Sequence, residues 1–486
     1  MNYGIILRTI RHLKLKQLFY QVKNRVCKVK YLPLSAPAHG PVEFQTEPIP
    51  RFQSKEGQIF TFLNQSHSFT NWNFVEYGTL FTYNQNYFDF INDGIIDKED
   101  ALRWIDRFIS EISTIKLGMD PYPIALRSMN WIKFFSKYPE SINKERDDSL
   151  WSQLKLLQKK LEFHLLGNHL LEDFYALYIG GCYFQDNLMI NESYRLLVEQ
   201  LNEQTLPDGA HYEQSPMYHA ILLDRLLDCI NIRPTDELKN IAIKQLCWLQ
   251  EICYCDGTFP MFNDSAKGIS PDPTDIFDYA HRLGLEWGNL PMKECGYRKF
   301  KNNNMEVVVD VGNITATYQP GHSHADALTY EIRKDNKPYI VDTGISTYEK
   351  NRRRHFERST MAHNCVSPDG RNSSEVWGGF RIGSYCDVKL IEDKENSIYA
   401  LHNGFDKSCK RKFQILNDSF SIEDWYDGNA VSYIHLAEGV DESCIDIDHA
   451  ISIQVKDYQY STIYNEFHTG KVIEICFNGY LKYTIR

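Results

Sequence analysis

The sequence predicts an α+β chain of two large domains, an N-terminal α/α toroid of antiparallel helices followed by a C-terminal antiparallel β-sandwich. Three observations carry the prediction. The chain has 486 residues, more than one ordinary core organises. From about residue 72 to 285 apolar residues recur at three- and four-residue steps, the period of a helix with one buried stripe. Near residue 300 the period changes to two, the spacing of strands with one buried face.

The elements follow in order. Residues 1–70 read as a basic N-terminal helix and an extended lead-in, 71–300 as the toroid, and 301–486 as the β domain. In the toroid, Ala101, Trp104, Ile105, Phe108, Ile109 and Ile112 form one stripe, and Leu150, Leu154, Leu157 and Leu161 another. Further helices are expected around 122–137, 169–186, 190–204, 212–231 and 236–253, joined by short polar connections such as Arg233-Pro234-Thr235-Asp236. The loop Asp256–Pro273 and the polar run Lys301–Asn304 mark the domain boundary. Beyond it Val307–Val311, Ile314–Tyr318, Ala327–Arg333 and Tyr339–Asp342 read as strands with a turn at Asp335-Asn336, and Phe420–Trp425 and Val431–Leu436 continue the pattern.

Composition narrows the function. A net charge of −11 argues against a nucleic-acid partner, which needs a broad basic footprint. The 30 Tyr, 27 Phe and 8 Trp can stack on sugar rings, although large cores use the same residues. Twelve scattered cysteines give neither a disulfide framework nor a CxxC zinc pattern, and buried thiols are expected. The first thirty residues hold eight Lys or Arg and no Asp or Glu, but the apolar run Gly4–Leu7 is too short for a signal-peptide core. Ile6, Ile10 and Leu13 make this segment an amphipathic helix, to be read as a solvated basic helix or as a peripheral contact with an anionic membrane. A cytoplasmic or membrane-peripheral bacterial protein is the expectation.

The stretch richest in chemistry is Gly321-His322-Ser323-His324-Ala325-Asp326, where histidines two apart on an extended segment point to the same side. Downstream lie Val341-Asp342-Thr343-Gly344 and, after Arg352-Arg353-Arg354-His355, the segment Ser359-Thr360-Met361-Ala362-His363-Asn364. Two His and one Asp are a donor set that zinc accepts. Taken alone, an HxH is as readily structural.

The ordered blocks PGHSHADALTYEI, VDTGISTY and STMAHN resemble the C-terminal signature of the heparinase II/III family of polysaccharide lyases. In the helical half, GNHLLE (167–172), DGAHYEQSPMYH (208–219) and YPIALRSMNW (122–131) resemble further motifs of that family, so the resemblance spans roughly residues 80–380. It implies that His322 works at the reaction centre and that His324, Asp342 and His363 hold a zinc ion, structural in role.

A lyase of this kind takes a 4-linked uronate, removes the proton beside the carboxylate and expels the glycosidic oxygen, leaving an unsaturated sugar. The carboxylate must be neutralised by preorganised donors, a role suited to Asn168 and His169. A base and an acid must stand within reach of the proton and the leaving oxygen, for which Tyr218 and His322 are candidates, Tyr218 as the acid, with Tyr348 in reserve as the base. Arg127, Asn130 and Glu213 are candidate substrate contacts, Arg127 because guanidinium matches carboxylate or sulfate. Asn168 could otherwise be only a helix N-cap, and His169 and Tyr218 ordinary core side chains.

The expected activity is β-elimination on an acidic polysaccharide. One alternative is a glycan-binding protein of capsule or exopolysaccharide synthesis with little or no lyase activity. Another is an inverting hydrolase using Asp208 and Glu213 as its two carboxylates.

Overall fold

In the computed structural model, which describes residues 3–51 and 53–486, the helical and β-forming stretches segregate into two packed bodies. Two helices open the chain, α1 (Tyr3–His12) and α2 (Leu15–Val26). The lead-in contains a small antiparallel sheet of β1 (Ser54–Glu56), β2 (Ile59–Phe62) and β3 (Gln65–Ser68), where the sequence reading expected extended chain alone. Its strands are too short to show a period.

The helical body comprises α3 (Thr79–Tyr87), α4 (Lys98–Glu111), α5 (Pro121–Lys137), α6 (Lys144–Lys160), α7 (Gly167–Tyr183), α8 (Asn187–Gln204), α9 (Pro216–Ile232), α10 (Asp236–Ile252) and α11 (Pro273–Arg282). Side-chain caps set many of their starts: Asp97, Asn143, Asp186, Ser215 and Thr235 each accept a backbone N–H from the first turn. Helices α3, α5, α7, α9 and α11 pack side by side as an inner layer, with α4, α6, α8 and α10 outside them. The inner members α5, α7 and α9 are buried almost all round, whereas α8 buries only one stripe, the burial expected of a two-layer α/α array.

The sheet begins at Tyr297, slightly before the expected boundary. Its strands are β4 (Tyr297–Lys301), β5 (Met305–Asp310), β6 (Tyr330–Lys334), β7 (Lys337–Ile340), β8 (Val366–Ser367), β9 (Val376–Trp377), β10 (Arg381–Ile382), β11 (Val388–Lys394), β12 (Ser397–His402), β13 (Cys409–Ile415), β14 (Phe420–Leu436), β15 (Ile445–Asp448), β16 (Ser452–Tyr460) and β17 (His468–Ile485). All but the β9–β10 pair belong to one antiparallel sheet running β11-β12-β13-β14-β7-β6-β5-β4, with β17 against β14 and β15 and β16 against β17. The sheet curls so that Val307 and Ile332 from one end share an apolar core with Phe413, Ile422 and Phe477 from the other. The β6–β7 turn falls at Asp335-Asn336 as expected, both residues at positive φ.

Two strand expectations are corrected. Phe420–Trp425 and Val431–Leu436 are one long strand, bent by an irregularity at Tyr426–Asn429. Ile314–Tyr318 is not a strand, because its backbone is tied to the helical body: Thr315 N donates to Gln214 Oε1 (3.0 Å), and the Thr315 hydroxyl donates to Tyr212 O.

Strand β5 joins the two bodies. Val307 and Val309 face the sheet core while Val308, pointing the other way, belongs to the helical core together with Ala316, Ile345 and Tyr464. A buried ion pair then fixes the segment that carries His363. Arg411 donates to Asp424 through Nε (2.6 Å) and Nη2 (2.8 Å), and its Nη1 donates to Leu328 O (2.8 Å) and Asn364 O. Asp424→Ala leaves that guanidinium buried without its counter-charge and should destabilise the protein by about 3–5 kcal/mol; the double change Arg411→Met with Asp424→Leu should cost less, as compared by denaturant unfolding.

Candidate active site

The local backbone at Leu166-Gly167 sets the first half of the site. Leu166 (φ 64°) and Gly167 (φ 60°) both lie in the left-handed region, and a Cβ on Gly167 would stand 2.5 Å from Glu213 Oε1. The tight turn places Asn168 inside the first turn of α7, not at its cap, with its side chain free for other work. Glu213 accepts both the Asn168 backbone N–H (3.0 Å) and its amide Nδ2 (2.9 Å), and the same Nδ2 lies 3.2 Å from His322 Nε2.

The second half comes from α9 and the loop carrying the HxH. Ser215 caps α9 by accepting Tyr218 N–H (3.2 Å) and donates its hydroxyl to Asp264 O (2.7 Å), so one side chain locates both Tyr218 and Asp264. The Tyr218 ring packs on that of His322 with centroids 3.8 Å apart. Its hydroxyl shares a hydrogen bond of 3.1 Å with Tyr348. Burial, with Asp264 and Glu213 adding to it, pushes the Tyr218 phenol well above its ordinary pKa despite the bond to Tyr348, so it keeps its proton.

Asp264 is the hub that the sequence reading missed. His322 Nδ1 meets Asp264 Oδ2 at 2.8 Å, His324 Nε2 meets Oδ1 at 2.8 Å, and Arg354 grips both oxygens, Nη2 to Oδ2 at 2.7 Å. The two imidazoles do point to one side as the HxH predicts, but what they share is a carboxylate. With Nδ1–H directed at Asp264, the His322 tautomer leaves Nε2 as the acceptor facing Asn168. Burial penalises the Asp264 charge, but Arg354 and the two imidazoles outweigh it and hold the carboxyl well below the usual range. Nothing periodic marks Asp264, which lies in a loop read as a boundary; Arg354 lies in the basic run Arg352-Arg353-Arg354-His355, yet it is fully buried.

His169 sits beside these groups, about a third exposed (32 %), with its ring 4.7 Å from Tyr122 and Nδ1 3.1 Å from Glu162 Oε2. Burial disfavours its charged form, but the charge and hydrogen bond of Glu162 prevail and raise its pKa above the ordinary imidazole value. Tyr348 is half-buried and packs against Phe380 and Tyr464, closing the far side.

Two of the candidate substrate contacts are corrected. Arg127 is fully buried, and its guanidinium donates to Gln153 Oε1, Asn86 O and Gly118 O, each at 2.8 Å; its donors organise the helical core and do not reach the cleft. Asn130 is likewise buried, donating to Tyr87 O (2.9 Å) and Asp89 Oδ1 (3.0 Å). Glu213 is in the site but beneath Asn168 and 3.5 Å from His322, where it orients them. Asp208 accepts the backbone N–H groups of Lys293 and Cys295, both at 2.9 Å, so neither carboxylate of the hydrolase alternative is free.

The expected zinc residues also meet. His363 Nδ1 lies 2.6 Å from Asp342 Oδ2, and the His324 and His363 rings are 5.3 Å apart. His324 Nδ1 and His363 Nε2 are buried without hydrogen-bond partners, the condition of imidazole nitrogens available to a metal. As they stand, with Asp342 engaged by His363, no three His, Cys, Asp or Glu side chains among the described residues form a metal-holding group.

With this geometry established, comparison with known proteins assigns the family. A model described as Heparinase II/III N-terminus matches residues 133–273, and one described as Heparinase II/III-like, C-terminal, matches residues 287–470. The chain belongs to the heparinase II/III-like family. The match passes the point near residue 381 where the motif resemblance ends and begins after the Tyr122–Trp131 block. A heparin-sulfate lyase of Bacteroides thetaiotaomicron is 22 % identical over 334 residues, covering 56 % of this chain and 46 % of that protein, so this chain spans just under half the length of its relative. Solved heparinase III has a TM-score of 0.65 at 15 % identity, covering 86 % of this chain and 78 % of that one. A mutant heparan sulfate lyase from Pedobacter heparinus has a TM-score of 0.54 at 15 % identity, covering 96 % and 87 %. These likenesses establish the α/α toroid and β-sandwich architecture.

The Glu162–His169 pair yields a test. Because the His169 pKa is raised on folding, its contribution to stability is fully present below the unfolded-state value of about 6.5 and is lost as pH rises through the folded value. Glu162→Gln should lower the His169 pKa, read from the pH titration of its imidazole signals by nuclear magnetic resonance, and flatten the stability profile in that window. An unchanged titration would show that Glu162 does not govern His169.

Proposed function

We propose that this protein is a polysaccharide lyase that cleaves a uronate-containing acidic glycan, of the glycosaminoglycan class, by β-elimination. The observation that carries the reading is the meeting of Asn168, His322 and Tyr218, drawn from both domains, within hydrogen-bond or ring-contact distance. The names of the relatives support the substrate class, and the partly exposed rings of Tyr122 and Tyr218 offer faces for a sugar.

In this mechanism the substrate carboxylate arrives between Asn168 and His169, where an amide donor and an imidazole of raised pKa stabilise the charge that develops on it. His322 Nε2, its ring held by Asp264, accepts the proton from the carbon beside the carboxylate. The electron pair released from that C–H bond forms the carbon–carbon double bond as the glycosidic C–O bond breaks. Tyr218, which keeps its proton, delivers it to the leaving oxygen, and Tyr348 stands ready to resupply it through the shared hydrogen bond. A binding protein without chemistry would need neither a proton-holding phenol nor a carboxylate-oriented imidazole.

The reading includes zinc held by His324, Asp342 and His363. The two unpartnered imidazole nitrogens and the adjacent carboxylate suit that ion. Zinc would supply order to the segment carrying His363 and steady the His324 side of the Asp264 cluster. The elimination itself is carried by the protein's own groups.

Two outcomes are expected. In an ultraviolet assay for the conjugated double bond on a confirmed glycosaminoglycan substrate, Tyr218→Phe should lower kcat by about 10²–10⁴-fold with KM nearly unchanged and the melting temperature preserved; full activity in that variant would pass the acid role to Tyr348 or His322. Treatment with a chelator, or His363→Ala, should lower zinc content and melting temperature together. Zinc-free protein of unaltered melting temperature would remove zinc from the proposal.

A further inference from the structure

Helices α1 and α2 are attached to the protein by their polar side. On α1, Arg8 Nε donates to Glu375 (2.7 Å), the buried Thr9 hydroxyl accepts from Trp377 Nε1 (3.0 Å), and His12 Nε2 lies 2.8 Å from Gly383 O. On α2, Lys14 pairs with Glu203 and lies 3.7 Å over the Tyr318 ring, while the buried Gln17 donates to Leu165 O (3.1 Å) and Tyr318 O (3.3 Å). These contacts are specific, so the orientation of both helices is determined.

The consequence is that one apolar stripe faces outward, while Ile5, Ile6, Leu13 and Leu18 are half-buried, unlike a helix that docks its whole apolar face on a globular core. Tyr3, Leu7 and Ile10 on α1 and Leu15, Phe19, Val22 and Val26 on α2 follow one another at three- and four-residue steps, and all are exposed. Leu7 is 69 % exposed, Phe19 63 %, Val22 62 % and Val26 76 %. The sequence reading centred the stripe on Ile6, Ile10 and Leu13; Ile6 and Leu13 are half-buried and the outward stripe runs beside them. Cations flank it: Arg11, Lys16, Lys23, Arg25, Lys28 and Lys30 are exposed and form no ion pair among the described residues. No acidic residue precedes Glu43, in a chain whose net charge is −11.

We propose that this face docks on an anionic lipid bilayer, the stripe of α1 and α2 entering the headgroup boundary and the flanking cations meeting lipid phosphates. An outward apolar stripe edged by unpaired Lys and Arg is the arrangement of a helix lying in a membrane interface. A second copy of this chain fits less well, since a two-fold pairing of like faces would set these cation rows against each other. No helix among the described residues is long and apolar enough to cross a membrane, so the contact is peripheral. The place is telling: α2 rests on Leu165 and Tyr318, close in sequence to Asn168 and His322, so attachment would hold the cleft near the lipid surface.

The test is co-sedimentation of the full chain with phosphatidylcholine vesicles, with and without phosphatidylglycerol. Binding should require phosphatidylglycerol and weaken as salt is raised. Phe19→Ser with Val22→Ser should lower the partition constant at least about tenfold, with the melting temperature unchanged. Should that variant fold poorly, Arg25→Gln with Lys30→Gln, at exposed positions, should lower binding about fivefold per charge. Sedimentation equal with and without phosphatidylglycerol, none at all, or none of these variants weakening it would overturn the proposal. So would light scattering that shows a dimer which Phe19→Ser with Val22→Ser converts to monomer, assigning the face to a second copy.

Discussion

The buried carboxylate of Asp264 is the constraint on which the rest of the site depends. An ionised carboxylate removed from water costs several kcal/mol unless its oxygens are fully engaged. Here Arg354, His322 and His324 engage them, which obliges a loop of the helical domain, the HxH loop and α12 (Arg352–Glu357) to meet at one point. The backbone reinforces this, with Asp264 N–H donating to His322 O (3.1 Å), and Ser215 ties the same point to the start of α9. Domain packing and imidazole orientation therefore rest on the same contacts.

From that point the site divides into groups whose environments differ in sign. Tyr218 lies among carboxylates and in low-dielectric surroundings, which disfavour its ionised form; His169 lies beside Glu162, which favours its charged form. One group is thus held in its protonated, neutral form, while the other is biased toward its charged form. Glu213 mediates between them by fixing Asn168 from below without facing the cleft itself. Two carboxylates, Asp264 and Glu213, orient the side chains of His322 and Asn168.

The HxH loop is held from its other side as well. Arg358 Nη2 donates to Ser323 O (2.8 Å) and Thr360 Oγ1 to Ala325 O (2.6 Å), so the STMAHN block, remote in sequence, braces the loop of His322. Asn364 of that block bridges strands, donating to Tyr330 O (2.8 Å) and Val341 O (3.0 Å) while accepting from His435. These bonds explain why three blocks far apart in the chain form one unit, whether or not a metal is bound between them.

The periodicities determined the division into a helical and a β half: stripes of period 3.6 before residue 285 and of period 2 after it dictate which faces must be covered, and Ser215, Asp97 and Thr235 announce helix starts by local chemistry. The same local logic, joined to motif order, singled out Asn168, His169, Tyr218 and His322. It could not find Asp264 or separate Arg354 from Arg127, because burial of a charged side chain is a property of the whole fold and leaves no local period. Arg127 resembles a ligand-binding arginine in sequence, yet its helix turns it into the core; Arg354 sits in a run that looks solvated, yet α12 turns it onto Asp264. Likewise the sequence determined that the chain opens on an amphipathic, basic helical segment, which the structure divides into α1 and α2. Only the tertiary contacts of Thr9, Gln17 and Lys14 decided that the stripe of Leu7, Phe19, Val22 and Val26 faces out, because the partners that engage those polar side chains lie far away in the chain and leave no local mark.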